Sequence, residues 1–227
     1  DITGLQTFPD AYKDAMPLCT MSQWGWHTKP MPEHLNGKEL KLNEYETHGR
    51  KVGYMTLKTG QEELFDYLRE NPHRLHLGQI GFRLNKTDGS KAAASDITEI
   101  EQKLDLWTGV IHSSFRFEGE PIKVRTAVHP ALDMLAVSVE SPLLNGKEKL
   151  PIGFAFPYGS QMMQAADWNQ PNAHRSEQIS KAENRVVIKR TLDNDEYFVD
   201  VRWGGTSAIF VRESSLPPHN YSLITDG

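Results

Sequence analysis

The stretch that decides the fold is LDLWTGVIHSSFRFEGEPIKVRTAVHPALDMLAVSVE, residues 104–140, the main part of a region of strand-like runs that begins at Ile97. In its two clearest runs, 122–128 and 135–140, every second residue is apolar. Because strand side chains alternate between two faces, each run can bury one face and expose the other to water. Turn-forming residues separate the runs, at Thr108-Gly109, Glu118–Pro121 and His129-Pro130. The stretch predicts an antiparallel meander.

Similar alternation recurs on both sides of the meander and predicts about a dozen strands, three of them near Arg185–Leu192, Tyr197–Trp203 and Thr206–Arg212. One segment changes period: 61–69 places Leu64, Tyr67 and Leu68 on one helical face and ends at Asn71-Pro72. The chain shows no internal repeat and no linker rich enough to divide it, so we expect a single domain over residues 1–227. A large antiparallel β-sandwich with one short helix fits this pattern better than a barrel.

The expected core follows from the apolar positions of the alternating runs. These positions are Leu104, Leu106, Val124, Val128, Leu135, Val137, Phe154 and Phe156. Two segments are predicted to be long loops, Thr7–Pro32 and Gly159–Ser180. The residues after Arg212, with Pro217-Pro218, are interpreted as an interdomain linker.

Composition excludes two classes of partner. The 227 residues carry a formal net charge of −5, with Lys and Arg scattered along the chain, so the basic patch of a nucleic-acid binder is missing. No apolar run approaches the roughly 20 residues that span a bilayer, so we expect no membrane insertion. The single cysteine, Cys19, excludes an internal disulfide and is interpreted as a buried small residue.

The titratable residues predict neither a catalytic set, nor a cofactor, nor a metal site. There is no GxSxG elbow, P-loop or GxGxxG motif. The acidic clusters, such as Asp193-Asn194-Asp195-Glu196, lie in turn contexts that are typical of solvated positions. His73 and His76 are three residues apart, a spacing that points two strand side chains to opposite faces and so prevents joint ligation.

Trp24-Gly25-Trp26-His27 is the sharpest local signal. Two indoles in a Pro-rich loop are hard to hide in a sandwich core, whereas indole faces stack on the apolar face of a pyranose and an imidazole can bind a hydroxyl. Trp24, Trp26 and His27 are therefore the predicted substrate-binding residues. The alternative is that the loop folds back as a small plug for the core.

Residues 102–110 (QKLDLWTGV), 124–130 (VRTAVHP) and 133–137 (DMLAV) resemble the N-terminal β-sandwich of glycoside hydrolases that have an (α/α)6-barrel catalytic domain. The resemblance is to the glycoside hydrolase family 65 type, which includes maltose and trehalose phosphorylases, and to the related barrel-type α-L-fucosidases. It covers about half of the chain, chiefly residues 73–141. It implies a supersandwich of the galactose mutarotase-like kind.

The resemblance also implies that the catalytic acid and base belong to a C-terminal helical barrel of the same polypeptide, so no catalytic residue can be carried over to a position of this chain. The start at Asp1, in a run that resembles the continuation of a strand, favours a processed or cut fragment. The resemblance implies that the larger protein is a bacterial glycoside hydrolase. We therefore expect a non-catalytic domain that packs on the barrel and contacts carbohydrate. Two alternatives stay open: an autonomous sugar-binding module, and a mutarotase-like epimerase, which would need a histidine base and a carboxylic acid in one cleft.

Overall fold

The structure, a computed structural model, describes residue 8 and residues 23–145, 150–205 and 207–225. Strands make up 48% of it and helices 10%, which confirms the all-β sandwich class. The interpretations of Asp1 and Cys19, and of most of the first predicted loop, concern residues outside the described part. Within the described part no helix has the length and apolar character needed to cross a membrane.

The strands follow one another along the chain as β1 (Trp26–His27), β2 (Asn43–Thr47), β3 (Arg50–Tyr54), β4 (His73–Arg74), β5 (Gln79–Phe82), β6 (Ile97–Asp105), β7 (Val110–Phe117), β8 (Glu120–Val128), β9 (Leu135–Glu140), β10 (Ile152–Ala155), β11 (Tyr158–Gly159), β12 (Ala166–Asp167), β13 (His174–Ala182), β14 (Arg185–Leu192), β15 (Asp195–Arg202), β16 (Ala208–Arg212) and β17 (Asn220–Thr225). The α-helix α1 spans Glu62–Glu70. The described part also contains short 3-10 helices over Glu33–Leu35, Ala94–Asp96 and Pro142–Asn145.

The predicted meander is a four-stranded sheet in the order β6-β7-β8-β9, with antiparallel neighbours throughout. Gly109 and Gly119 turn its first two hairpins with φ of 70° and 83°, a conformation that glycine adopts at little cost. Phe117, Ile122 and Val124 lie on its inner face and are almost fully buried. They form one core cluster with residues of β5 and of the segment before β10.

Four predicted core residues are exposed: Leu104, Leu106, Val128 and Val137. The register places Leu104, Val128 and Val137 on the same inner face as buried Thr126, so alternation assigned the correct face. That face extends beyond the layer that covers it, and this is why these side chains reach solvent. Leu106 lies in the turn between β6 and β7. We call these four residues the apolar end of the sheet.

The second large sheet has the order β16-β17-β10-β5 and is also antiparallel. One of its faces carries Phe154 and Phe210, which pack on Val186 and Ile188 of the sheet β13-β14-β15. Three of the predicted core positions are confirmed, because Val124, Phe154 and Phe156 are buried. A fourth, Leu135, is half-buried.

Two segments predicted to be irregular contain strands. The supposed linker after Arg212 forms β17, which lies inside its sheet between β16 and β10. Its six residues begin two positions after Pro218, so the proline pair concealed a short alternating run. The predicted loop 159–180 contains β12 and all but the last two residues of β13. The three later strands β14, β15 and β16 lie close to their predicted bounds.

The helix is one residue away from its predicted position. It buries Leu64 and Phe65, whereas Leu68 is exposed. The expectation that Leu64, Tyr67 and Leu68 share the contact face is therefore wrong for Leu68, because the buried face is rotated toward Phe65. The helix ends at Glu70, and Asn71, the extended residue before Pro72, caps it, as the sequence indicates.

Candidate functional site

The Trp24–His27 segment is pinned to the chain that follows α1. β1 pairs with β4 in antiparallel fashion, with Trp26 opposite Arg74 and His27 opposite His73. The backbone N–H of Leu75 extends this ladder by donating to the carbonyl of Gly25 at 2.9 Å. Backbone hydrogen bonds therefore fix the position of this segment independently of its side chains.

Trp26 is half-exposed, with 45% of its surface accessible. Its indole Nε1–H donates to the Gln23 carbonyl at 3.1 Å. The Arg74 guanidinium lies over the ring, 4.1 Å from the ring centroid, in cation–π geometry. One face of the indole is thus covered, and its only polar group is already used.

Trp24 is 48% exposed and is held from two other parts of the molecule. Its Nε1–H donates to the Asp133 carboxylate in the loop between β8 and β9. Its ring lies 6.1 Å from the ring of Tyr197 on β15, centroid to centroid. Both indoles therefore have fixed orientations, and their N–H groups form hydrogen bonds within the protein. The ring surface that remains exposed to solvent is apolar. The exposure of both indoles favours a surface role over the core plug that we considered as an alternative.

His27 lies on the other side of the segment and is only 1% exposed. Its Nδ1 is 2.8 Å from Asp195 Oδ2, and its Nε2 is 3.3 Å from Asp193 Oδ2 without hydrogen-bond geometry. Gly159 packs so closely on the ring that an added Cβ would stand 2.4 Å from His27 Cδ2. The structure therefore separates His27 from the exposed surface of the two tryptophans.

Tyr158 and His73 complete the buried cluster around His27. The Tyr158 hydroxyl donates to Asp193 Oδ2 at 2.5 Å, and burial together with this carboxylate raises the pKa of the phenol well above its usual range. The His73 ring lies 5.2 Å from the His27 ring, and burial lowers the pKa of His73. Tyr158 is therefore a neutral donor that stabilises the Asp193 carboxylate.

Arg190 is the largest fully buried side chain among the described residues and lies on β14. The partners of its guanidinium are neutral: the carbonyls of Pro157 and Arg175, the hydroxyls of Ser176 and Tyr197, and His174 Nδ1. Burial first, and then the charge of Arg190, lower the pKa of His174 to about 3, so its Nδ1 keeps the lone pair that accepts this bond. Arg190 thus connects β14, β13, β15 and the segment before β11, and one of its partners, Tyr197, lies next to the Trp24 ring.

Sequence reasoning missed this polar interior. It assigned Asp193 and Asp195 to a solvated turn, yet both contact a histidine more than 160 positions away, and Asp193 is largely covered. No local motif reveals such a distant pair. Arg190 did carry a signal, because it follows Val186 and Ile188 at the alternate positions that face the core.

The chemistry open to the two sides differs. The His27 side chain has no accessible surface, so it cannot take a proton from a ligand. Within the described part of the chain, no group of three His, Cys, Asp or Glu side chains is placed to hold a metal ion. The exposed tryptophan surface can bind a ligand by stacking, with the Arg74 and Asp133 side chains beside it.

Comparison with known proteins identifies no family for this chain. No protein-family model matches the chain, and no curated protein matches it. The residues described above therefore carry the functional proposal.

Proposed function

We propose that this β-sandwich is a non-catalytic domain of a carbohydrate-active enzyme, a glycoside hydrolase with a helical-barrel catalytic domain, and that its Trp24–Trp26 surface contacts carbohydrate. The observation that carries the proposal is the pair of half-exposed indoles whose N–H groups are both bonded internally. Such rings present apolar faces in fixed orientations, and a pyranose ring stacks on such a face at little entropic cost. The motif resemblance over residues 73–141 also supports it.

Contact with another domain is supported by the apolar end of the meander sheet. Leu104, Val128 and Val137 are exposed next to the turn that carries Leu106 and Trp107, and Trp107 is 96% exposed. Clustered apolar surface of this kind marks interaction sites more often than isolated exposed residues do. We propose that the catalytic barrel of the same enzyme packs against this end.

The carbohydrate part of the proposal can be tested by isothermal titration calorimetry of the chain with neutral oligosaccharides of glucose, galactose, mannose and fucose. We expect one of these to bind, and Trp24→Ala and Trp26→Ala to weaken it about three- to tenfold each, as stacking worth roughly 1 kcal/mol requires. Trp107→Ala is the matched control, because it also removes an exposed indole. Unchanged affinity in both Trp24→Ala and Trp26→Ala would contradict the proposal.

The same titration separates two versions of the proposal. If the isolated chain binds as tightly as a polypeptide that includes the barrel, the domain acts as an autonomous binding module. If affinity rises several-fold when the barrel is present, the tryptophan surface forms one wall of a shared sugar site. In either case we expect no turnover of aryl glycosides by the chain alone, because His27, the histidine that contacts two carboxylates, is closed to solvent.

A further inference from the structure

A groove lies on the outer face of the sheet β16-β17-β10-β5, opposite the face that packs in the core. Its volume is about 370 Å³, within the range of small-molecule sites. Gly81 and Gly153 pair directly in its floor, with Ala155 one position further along β10. Because these residues have small side chains or none, the sheet backbone itself forms the floor, and at Gly153 the space above it is taken by the Arg83 side chain.

Arg83 lies across this floor. A Cβ added to Gly153 would stand 2.3 Å from Arg83 Nε, so glycine at this position makes room for the guanidinium. Arg83 Nη2 donates to Asn220 Oδ1 at 3.0 Å, which fixes the guanidinium inside the groove. Its Nε is buried and has no hydrogen-bond acceptor among the described residues.

The positive charge of Arg83 is not compensated by any described carboxylate at ion-pair distance. Burial lowers the pKa of Arg83, and the charge of Glu213, which also lines the groove, acts in the opposite direction. Lys91 also lines the groove, so cations outnumber carboxylates along its described wall. A partly buried cation without a bonded counterion is costly, and an anionic ligand removes that cost.

We propose that this groove binds the carboxylate of an acidic sugar, a uronic acid, with Arg83 as the carboxylate ligand. The inference deepens the proposed function and rests on it for the choice of a sugar as the carrier of the carboxylate. Gln79 and Asn85 line the same groove and offer amide groups to ring hydroxyls, and Pro151 and Leu216 offer apolar contact. This mixture of few polar groups and apolar walls is typical of ligand sites.

The test is calorimetric titration of the chain with glucuronate and galacturonate, beside glucose, galactose, acetate and inorganic phosphate. We expect a uronate to bind, and Arg83→Gln to weaken it about tenfold or more, since a charge-assisted bond is lost. Arg116→Gln is the matched control, because it removes one exposed positive charge on β7 at a residue that does not line the groove. Chemical-shift changes at the amides of Gly81, Gly153 and Asn220 in the unmodified chain give a second readout that needs no variant.

Each outcome decides the matter. Equal uronate binding by wild type and Arg83→Gln, or shifts that avoid the groove amides, would overturn the inference, as would the absence of uronate binding. Acetate or phosphate binding as tightly as a uronate would identify a general anion site and overturn the sugar assignment. The proposed function is tested separately, by the loss of neutral-sugar binding in Trp24→Ala and Trp26→Ala. The uronate groove and the tryptophan surface can therefore fail or stand independently of each other.

Discussion

The two sides of the segment Trp24–His27 differ in almost every physical respect. Trp24 and Trp26 expose nearly half of their surface and use their N–H groups to fix their orientation. His27, the next residue after Trp26, is closed to solvent and lies between two carboxylates. The difference shows how a buried, hydrogen-bonded cluster, here His27 with its two carboxylates, can fix the position of exposed tryptophans without contacting a ligand itself.

Removal of the buried side should have the largest effect. His27→Ala leaves Asp193 and Asp195 next to a cavity without the imidazole, so we expect a loss of about 3–5 kcal/mol in the free energy of unfolding. Urea denaturation measures it. His34→Ala, at an exposed histidine paired with Glu63, should change stability by less than about 1 kcal/mol. Equal effects of the two substitutions would mean that His27 does not hold the segment.

A close contact on the same side should produce the next largest effect. Gly159→Ala puts a Cβ against the His27 ring, so the ring or the strand must shift, and we expect a destabilisation of about 1–3 kcal/mol. Gly204→Ala is the control, because an added Cβ there meets no atom within 4 Å. Sugar affinity should fall in Gly159→Ala together with stability, because a shift of the His27 ring would also displace the adjacent Trp26.

Acid should weaken the polar interior. Burial lowers the pKa of four histidines below the ordinary value of 6.5, namely His73, His76, His174 and His219. Between about pH 7 and 5 the unfolded chain therefore binds more protons than the folded one, and stability falls as the pH falls, by no more than about 1.4 kcal/mol per pH unit per histidine.

Melting temperature against pH checks this slope. In His174→Asn the amide oxygen can still accept the bond from Arg190 but cannot be protonated, so this variant should show a shallower decline. A melting temperature that stays constant from pH 7 to 5 in the wild type would contradict the assignment of buried, neutral histidines.

The exposed side should matter least for stability. We expect Trp24→Ala and Trp26→Ala to lower the free energy of unfolding by about 1 kcal/mol or less each, because their rings remain half in water and only stacking and one hydrogen bond are lost. Thermal melts of both variants measure it. A loss as large as that of His27→Ala would return the indoles to the role of a core plug.

Strand alternation predicted the meander and its turns because a period of two over six to nine residues is a strong signal. It also assigned the inward faces of Leu104, Val128 and Val137 correctly. Whether a face is covered depends on how far the opposing layer reaches, and that distance is a tertiary property. Leu104 and Val124 therefore read alike in the sequence and differ in burial.

The site divides in the same way. Two indoles around a glycine identified the exposed surface, since their size and composition are local properties. The partners of His27 could not be predicted, because Asp193 and Asp195 reach it only through the packing of the β14–β15 turn on β1. β17 was missed for a different reason, because a strand of only six residues begins two positions after Pro217-Pro218.

The central claim is that the Trp24–Trp26 surface binds carbohydrate. The most direct test is an NMR titration with an oligosaccharide that calorimetry shows to bind, in which the indole Nε1–H signals of the five tryptophans are followed. Single Trp→Phe variants assign the signals. We expect the Trp24 and Trp26 signals to shift together along one saturation curve while the Trp107 signal stays in place. Stationary Trp24 and Trp26 signals at a saturating sugar concentration would contradict the claim.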